Sequence, residues 1–541
     1  MKISQFFGIE INDCAVTVAK TALWIAESQM IRETEAILSQ NIDFLPLTTN
    51  AFIVEGNALR MDWATLKPID ANAMPANSLF SGFDTETDGL RHQYDYIIGN
   101  PPFVGARLMS DEQKNDIVSI FGNIKNVGNL DYVSCWYKKA ADLIKNSKTK
   151  CALVSTNSIT QGEQTAILWK PLFNSGIQID FAWRTFRWDS ESNQKAHVHC
   201  VIIGFSCANV GTSRAASENA MVANNADAAR HVPTRRIFNA DGTVINARNI
   251  NPYLIDATNV FIEGRKTKLC NVPDMVFGSM SNDGGNFILT EEEKNELLKT
   301  EPNSEKYIRL FLGSEEYINN KVRYCLWLVG ASPAELKRMP QVLKRIENVR
   351  KLRAESKRGA TQKLADIPHL FAEIRQPQSG QYIIVPRVSS ERRKYVPIGF
   401  LDYRVIASDA AQMIPNATLY HFGVLTSSVH NAWMRAVCGR LKSDYRYSAN
   451  IVYNNFPWPQ ESENMKAKIE QTAQKILDAR ALYPDSSLAD LYDETLMPPE
   501  LRKAHRENDK AVMAAYGFDA AMDESEIVAR LFELYEEMVK K

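Results

Sequence analysis

The 541-residue chain has no long apolar run, no CxxC cysteine pair and no excess of charge of one sign. Without about 20 consecutive apolar residues, no transmembrane helix and no membrane partner are expected. The start, MKISQFFGIEIND, lacks the features of a signal peptide. Eight scattered cysteines argue against a zinc site and favour reduced thiols in the cytoplasm. A net charge of −1 neither indicates nor excludes a nucleic-acid partner.

Up to about residue 210, the chain alternates short apolar segments with helical patterns. Strands are predicted at 6–11, 51–59, 94–99, 151–156, 179–186 and 197–205, and helices at 14–39 and 130–144. Such alternation predicts an α/β fold with a doubly wound, parallel sheet. One face of the first helix is predicted to carry Ala15, Ala19, Ala22, Leu23 and Ala26.

The rest of the chain changes character twice. Residues 211–236 are rich in Ala, Asn and Ser, which predicts a linker or surface loop. Residues 237–460 show short strands, many turns and one basic helix, and residues 461–541 are helical and charged. The predicted domains are therefore 1–210, 237–460 and 461–541, with 211–236 between the first two.

The segment YDYIIGNPPF ends a predicted strand on Asn100, Pro101, Pro102 and Phe103. Two prolines fix φ and remove donors, so the strand stops and the loop is rigid. Ligands bind at the carboxyl ends of strands in such sheets. The Asn100 oxygen and the Pro101 carbonyl can accept both hydrogens of one NH2 group, and Phe103 can stack on the attached ring for about 1–3 kcal/mol. The alternative is a rigid turn without function.

NPPF after an apolar strand resembles motif IV, (N/D)PP(Y/F), of S-adenosylmethionine-dependent amino-methyltransferases. Resemblances to motifs II, III, V, VI and VIII occur in that order, in FFGIEINDCAVTVAKTALWIAESQM, GNALRMDW, GNLDYVSCWYKKAADLI, CALVSTNSITQGEQ and FRWDSESNQKAHVHCVIIGF. This set is similar to the γ class of N6-adenine DNA methyltransferases. The later segments YRYSANIVYNNFPWP and LADLYDETLMPPELRKAHRENDKAVMAAYGF resemble the MmeI-like type II restriction–modification enzymes. Related NPPF motifs also serve enzymes that methylate protein glutamine or RNA.

The resemblance implies a Rossmann-like methyltransferase sheet, an α+β target-recognition domain and a C-terminal helical region. It also implies S-adenosylmethionine as cofactor, double-stranded DNA as partner and a flipped adenine as the reacting base. The catalytic group would be the segment from Asn100 to Phe103, with Phe186 or Trp188 packing on the other face of the base. Ordinary sheet packing is the alternative for these two aromatic residues.

Three carboxylates are implied to bind the cofactor. Glu10 would bind the ribose, Asp62 would accept a hydrogen bond from the cofactor's adenine, and Asp131 matches an acidic position of motif V. Each has an alternative: Glu10 can be a solvated strand-end carboxylate, and Asp62 and Asp131 can cap helices. His197 and His199 are interpreted as structural, and no metal is expected, because a zinc site needs a third ligand.

Three basic segments lie in the later half of the chain, at 334–363, 385–397 and 440–450. A solvated charged face is the plain interpretation, but interleaved Tyr and Arg favour binding to DNA phosphates. The predicted DNA contacts are Arg387, Arg392, Arg393, Lys394, Arg440, Lys442 and Arg446.

One departure from the family concerns motif I, the glycine-rich turn that cradles the methionine part of the cofactor. Only nine residues precede Glu10, and none forms such a turn. The sheet is therefore predicted to be N-terminally incomplete, and the chain to be the C-terminal portion of a longer enzyme. The competing hypothesis is a non-catalytic DNA-binding remnant, or a subunit whose cofactor site is completed by a separate chain that carries motif I.

Overall fold

The computed structural model describes residues 3–39, 51–66, 94–189, 197–208, 235–460 and 462–540. Contacts divide the chain into two units. The first unit comprises residues 1–159 and 167–250, and the second comprises 160–166 and 251–541. Most of the predicted linker, 211–236, lies outside the described residues.

The first unit contains eight described strands and most of four helices. The strands β1 to β8 are Phe7–Glu10, Phe52–Glu55, Tyr96–Gly99, Lys150–Thr156, Ile177–Asp189, His197–Cys207, Arg235–Phe238 and Val244–Ala247. The helices α1 to α4 are Asp13–Leu38, Asp111–Phe121, Ser134–Ile144 and Gly162–Asn174. The α/β fold class and all six predicted strands are confirmed.

The main sheet of this unit has the order β3-β4-β6-β5-β7-β8. The prediction of a parallel sheet holds for the pairs β3/β4 and β5/β7 but is wrong for β6, which runs antiparallel to both β4 and β5. Strands β5 and β6 follow each other closely in the chain, and such a short connection joins antiparallel neighbours. Strand β7 then pairs in parallel with β5, so residues 235–247 extend this sheet although the predicted second domain began at 237.

A second, two-stranded sheet pairs β1 and β2 in parallel. Within the described residues, β1 pairs only with β2, and β3 pairs on one side only, with β4. The Phe7 and Tyr94 rings lie 5.9 Å apart, so the amino-terminal ends of β1 and β3 are neighbours without sharing a ladder. On β3, Tyr96 is 71% exposed and Ile98 is 80% exposed. In the part of the chain that the structure describes, each of the two strands therefore has an open edge, and β3 has an exposed apolar face.

Helix α1 begins after Asn12, whose side chain accepts a hydrogen bond from the Ala15 amide. Its partly buried face includes Ala15, Ala19 and Leu23, as predicted, but Ala22 and Ala26 are exposed. The buried residues instead follow a stripe through Val16, which is the only fully buried position of this helix. Helix α1 is therefore covered on a narrow face only.

Helix α3 supplies the centre of the first unit's core. Tyr137 stacks on Phe205 of β6 with ring centroids 5.5 Å apart, and its hydroxyl donates to the Leu153 carbonyl of β4 at 3.1 Å. Residues three and four apart along this helix are buried, namely Ser134, Tyr137, Ala141 and Ile144. The helix is thus fixed over β4 and β6, and its amino end lies beside the end of β4.

The second unit is built from short strands and helices. Strands β9 to β19 are Val276–Phe277, Ile288–Leu289, Ile308–Leu312, Tyr324–Leu326, Gln381–Pro386, Val388–Ser389, Gly399–Asp402, Ile406–Ala407, Ala411–Pro415, Gly439–Leu441 and Asp444–Arg446. Helices α5 to α15 are Glu291–Thr300, Ser314–Asn319, Pro333–Leu336, Pro340–Ala354, Gly359–Lys363, Leu419–Leu425, Ser428–Val437, Glu463–Ala481, Leu488–Leu491, Pro499–Tyr516 and Glu524–Lys540. The strands form two four-stranded sheets, β10-β12-β11-β16 and β15-β13-β17-β9, and one three-stranded sheet, β14-β19-β18.

The largest hydrophobic core of the second unit runs from Tyr253 to Tyr535. Trp433 of α11 packs on Phe532 of α15, with ring centroids 5.7 Å apart. The Asn508 amide of α14 donates to the Gly423 carbonyl of α10 at 2.8 Å. The C-terminal helices thus share one core with residues 251–460.

Two histidines are buried in that core. His430 is 2% exposed and lies 2.8 Å from the Tyr447 hydroxyl through Nε2. His505 is fully buried and makes the same kind of contact with Tyr492, also at 2.8 Å. Burial lowers the pKa of His430 to about 3 and lowers that of His505 well below its usual value. Both side chains are therefore neutral in the folded protein at pH 7.

Candidate functional site

The segment from Asn100 to Phe103 follows β3 at its carboxyl end. Strand β3 pairs with β4 up to Gly99 and Leu153. Pro101 is buried, Asn100 is exposed and Phe103 is half-buried. Among the described residues, the Asn100 amide makes no hydrogen bond and Phe103 contacts no other aromatic ring. A buried proline thus anchors the loop while an amide and an aromatic face remain available.

The loop is held from behind by the chain just before α3. The Val104 amide donates to Asp131 Oδ1 at 3.3 Å, and the Tyr132 amide donates to the Val104 carbonyl at 3.0 Å. Asp131 Oδ1 also accepts the Val133 amide at 3.2 Å, and Oδ2 accepts the Thr156 hydroxyl at 3.1 Å. Asp131 therefore binds the amide just before α3 without capping the helix itself, whose N-cap residue, Val133, makes no side-chain capping hydrogen bond. Its other contacts reach the loop and β4.

The turn after β2 contains Asp62. Its Oδ1 accepts the Ala64 amide at 3.0 Å, so Asp62 caps the short 3-10 turn Trp63–Thr65. Capping was one of the two interpretations of Asp62 that the sequence left open. The other carboxylate oxygen, Oδ2, can still accept a hydrogen bond from a ligand. Glu10 ends β1, and its Oε1 accepts the amide of its own neighbour Ile11 at 3.0 Å. Both carboxylates thus lie at or just beyond strand ends, as predicted.

Lys139 of α3 supports the same turn, and the sequence interpretation missed it. Its Nζ donates to the Leu59 carbonyl at 2.9 Å and to the Met61 carbonyl, and it lies 5.6 Å from the Trp63 ring centroid. Burial lowers the pKa of Lys139, and the nearby Asp62 opposes that effect. The one signal in the sequence was position: Lys139 lies four residues after Cys135, which is buried in α3, so both lie on the same side of the helix.

A carboxylate of α2 joins the turn after β2 to the chain before α3. Arg60 Nε donates to Asp116 Oδ1 at 2.9 Å, and the Tyr132 hydroxyl donates to Asp116 Oδ2 at 2.8 Å. Burial favours the neutral form of Asp116, but the hydrogen bonds from Arg60 and Tyr132 outweigh it and lower its pKa. Hydrogen bonds therefore connect Arg60 through Asp116 and Tyr132 to Val104, the residue that follows the Asn100–Phe103 loop.

Phe186 and Trp188 lie at the same end of the main sheet. Phe186 of β5 is opposite Cys200 of β6, which is opposite Thr156 at the end of β4. The two rings are 6.2 Å apart, and Trp188 is 46% exposed. Strand β5 is three positions from β3, or roughly 14 Å at 4.8 Å per strand. The side chains are thus available above the sheet end rather than buried in the core.

In the second unit, several predicted DNA contacts come together around the sheet β14-β19-β18. Arg446 is opposite Val388 and Gly439, and Arg440 is opposite Tyr445. Within the described residues, four exposed cations among the predicted contacts have no ion pair: Arg392, Lys394, Lys442 and Arg446. Lys394 lies against the ring of its neighbour Tyr395, so the other three are the more open to solvent. We call these three residues the basic cluster. Its positive charge faces solvent and is not offset by a bonded carboxylate.

The remaining predicted DNA contacts are partly buried or have backbone groups or side chains that already contact other residues of the protein. Arg387 donates to the Asp409 carbonyl at 2.8 Å, and Arg440 donates to the Ser443 carbonyl at 2.7 Å and stacks on Tyr445. Arg393 is half-buried, and burial lowers its pKa. The Lys394 side chain is exposed, while its carbonyl accepts a hydrogen bond from Arg435. These side chains shape the surface around the basic cluster.

The basic segment 334–363 contains one arginine that is not a surface residue. Arg353 is fully buried and donates five hydrogen bonds to the carbonyls of Ser281, Asn282, Leu364, Ile367 and Leu370. Its guanidinium thus joins residues 281–282 and 364–370 to α8. The number of charged residues in the segment does not predict this buried role.

The described residues contain no helix long and apolar enough to span a membrane. They also contain no group of three side chains suited to hold a metal ion.

Comparison with known proteins covers the whole chain. Residues 1–217 match the family model "MmeI, DNA-methyltransferase domain", residues 256–460 match "MmeI, target recognition domain", and residues 461–541 match "MmeI, C-terminal domain". DNA methyltransferase A of Bacillus subtilis (strain 168) is 36% identical over 540 residues, which are 100% of this chain and 56% of that protein. The chain thus spans little more than half the length of this curated relative.

A solved structure of the type IIL restriction-modification enzyme MmeI in complex with DNA is also similar. Its sequence is 41% identical, and the likeness covers 100% of this chain and 67% of that one with a TM-score of 0.81. The three domain matches follow one another in the same order as the predicted motifs. On this evidence, the chain belongs to the MmeI family.

Proposed function

We propose that this chain carries the catalytic and target-recognition parts of a site-specific DNA methyltransferase of a restriction–modification system. It would transfer a methyl group from S-adenosylmethionine to the N6 amine of adenine, in the cytoplasm. The observation that carries the proposal is the loop Asn100–Phe103, with a free amide and an available aromatic face at the end of β3. The match to a family DNA-methyltransferase domain supports it.

The chemistry follows from that loop. Adenine must leave the duplex for its amine to be reached. Phe103 would stack on the flipped ring, while Asn100 Oδ1 and the Pro101 carbonyl accept the two N6 hydrogens. These acceptors stabilise the positive charge that develops on nitrogen as the N–C bond forms, and the extra proton then leaves to solvent. Bound S-adenosylmethionine would supply the methyl group on a positively charged sulfur. Phe186 or Trp188 would cover the other face of the base.

The carboxylates at the strand ends fit part of that cofactor. Glu10 and Asp62 each retain a carboxylate oxygen with no hydrogen bond among the described residues, so they can accept from ribose hydroxyls and from the adenine amine. Asp131 fits less well, because both of its oxygens already accept hydrogen bonds. The open edges of β1 and β3 favour a second possibility, in which a strand from outside the described residues completes the site.

Methyl transfer to mixed-sequence genomic DNA tests the proposal without knowledge of the recognition site. Radiolabelled S-adenosylmethionine is the donor, and the digested nucleosides are separated and identified by mass spectrometry. We expect the label in N6-methyladenine. Label in cytosine, in RNA or in protein would contradict the proposal, and a chain that binds DNA without transfer under any condition would be a remnant.

Calorimetry on the 541-residue chain tests completion of the cofactor site. We expect the chain alone to bind S-adenosylmethionine weakly, about a hundredfold less tightly than after addition of a polypeptide that supplies a strand and a glycine-rich turn. The reason is that Glu10 and Asp62 contact two parts of the cofactor, while its methionine end needs backbone groups at close approach. Micromolar affinity of the chain alone would show that the described strands already form the site.

Salt dependence of DNA binding tests the basic cluster. Replacing Arg392, Lys442 and Arg446 with glutamine should weaken binding to all sequences and lower the slope of log K against log salt by roughly 0.9 per lost phosphate contact. The matched control replaces Lys503, Arg506 and Lys510, which are exposed on α14, and should leave the slope unchanged. Equal slopes for both variants would mean that the cluster is a solvated face.

A further inference from the structure

Asp131 touches three separate segments of the first unit, although it is only 4% exposed. Its Oδ1 accepts the amides of Val104 and Val133 at 3.3 and 3.2 Å, and its Oδ2 accepts the Thr156 hydroxyl at 3.1 Å. Val104 follows the Asn100–Phe103 loop, Val133 precedes α3, and Thr156 ends β4. The carboxylate therefore lies where a loop, a helix and a strand meet.

Val104 is held at both of its backbone groups. The Val104 amide donates to Asp131. The Val104 carbonyl accepts a hydrogen bond at 3.0 Å from the amide of Tyr132, the residue that follows Asp131. Only Phe103 and two prolines of fixed φ separate Val104 from Asn100. So short and stiff a connection transmits the position of Val104 to the Asn100 amide and the Phe103 ring.

The support behind this anchor is itself rigid. The Tyr132 hydroxyl donates to Asp116, which also binds Arg60 of the turn after β2. Helix α3 is fixed to β4 and β6 through buried Tyr137. Asp131 thus ties the loop to the buried core formed by α3, β4 and β6.

We propose that Asp131 is a positioning residue that sets the place of Asn100 and Phe103, and that it is not a ligand of the cofactor. This proposal rests on the proposed methyl transfer at the Asn100–Phe103 loop. Its carboxylate already accepts three donors from the protein, so a cofactor hydroxyl or amine would have to displace one of them. Its effect would reach the reaction through Val104, because misplacing a reacting group by about 1 Å can cost about a hundredfold in rate.

Three variants test the proposal in the full chain. Asp131→Ala removes all three contacts, and Asp131→Asn keeps an acceptor oxygen for the Val104 and Val133 amides. Thr156→Val removes the contact of Asp131 to β4, together with the 2.6 Å contact between the Thr156 and Ser158 hydroxyls. Asp142→Asn is the matched control, since Asp142 is an exposed residue of α3, the helix that follows Asp131, and pairs with Lys138. Thermal unfolding of each variant identifies any that fail to fold. If Asp131→Ala does not fold, the measurements compare Asp131→Asn with Thr156→Val instead.

Two measurements are made on each folded variant. Hydrogen exchange of a peptide spanning 99–108, in which Pro101 and Pro102 carry no amide, reports the Val104 amide. We expect about tenfold faster exchange of that amide in Asp131→Ala alone. Methyl transfer to genomic DNA reports the reaction, and a polypeptide that supplies a strand and a glycine-rich turn is added where the chain needs it. We expect kcat of Asp131→Ala to fall about a hundredfold with an unchanged dissociation constant for S-adenosylmethionine, and Asp131→Asn to stay within about threefold of wild type.

The opposite pattern would overturn the proposal. If Asp131→Ala weakens S-adenosylmethionine binding while Val104 exchange and kcat stay normal, Asp131 is a cofactor ligand. Unchanged Val104 exchange in Asp131→Ala overturns the anchor even if no variant transfers methyl groups. Absence of transfer by the wild type, with faster Val104 exchange in Asp131→Ala, instead refutes the proposed function and with it any role of the anchor in catalysis.

Discussion

Replacing Asn100 with alanine is expected to lower methyl transfer at least about a hundredfold while DNA affinity changes little. The amide oxygen would act on the amine as its charge develops, and that interaction is worth most in the transition state. It contacts neither phosphate nor sugar in the proposed arrangement, so binding of the duplex does not depend on it. The loss should therefore appear in kcat rather than in the dissociation constant for DNA.

The measurement is methyl transfer to genomic DNA by paired variants, and a polypeptide that supplies a strand and a glycine-rich turn is added where the chain needs it. Asn100→Asp keeps an acceptor at the same place and should retain more activity than Asn100→Ala. Asn123→Ala is the control, because Asn123 is also an exposed asparagine of the first unit. Near-normal transfer by Asn100→Ala would remove the basis for placing the reaction at this loop.

Acid is expected to unfold the second unit at pH values at which its carboxylates are still ionised. Folding lowers the pKa of His430 to about 3 and that of His505 well below its usual value, because both are buried. Below about pH 6.5 the unfolded chain therefore binds protons that the folded chain does not. The free energy of unfolding should fall by about 1.4 kcal/mol per pH unit for each histidine as the pH drops below 6.5.

Urea denaturation between pH 7 and pH 5 measures this slope. In the variant with His430→Gln and His505→Gln, the two buried groups no longer titrate, and the mean slope over this range should be smaller by about 2 kcal/mol per pH unit. The glutamines can still reach the hydroxyls of Tyr447 and Tyr492. His199→Gln, on β6 of the first unit, serves as the control. The same slope in wild type and double variant would mean that other groups cause the acid sensitivity.

The strands and the position of the Asn100–Phe103 loop could be predicted because their signals are local. Two prolines after an apolar strand fix the end of β3 whatever surrounds them, and apolar runs mark the strands. Strand order and direction depend on pairing across the sheet, so β6 was placed in a parallel sheet although it runs antiparallel to its neighbours. The addition of β7 and β8 to the same sheet could not be predicted for the same reason.

Charged side chains were predictable in type but not in partner. Arg353 lies in a basic segment like its neighbours, yet it is buried against five carbonyls supplied by residues up to 72 positions away in the chain. Asp131 and Asp62 had two interpretations each, and only their contacts showed that both accept backbone amides. The role of Lys139 could not be predicted, because the carbonyls that its side chain binds belong to a turn far away in the chain.

The shared core of the second unit has a consequence for how such enzymes can recombine. Trp433 and Phe532 pack on each other, and Asn508 binds the Gly423 carbonyl, so residues on either side of position 460 complete one interior. A crossover between two homologous genes near position 460 would join half-cores shaped for different partners. A crossover near position 250 would leave that interior intact. Viable hybrids with exchanged DNA specificity should therefore inherit the recognition segment and the final helices from the same parent.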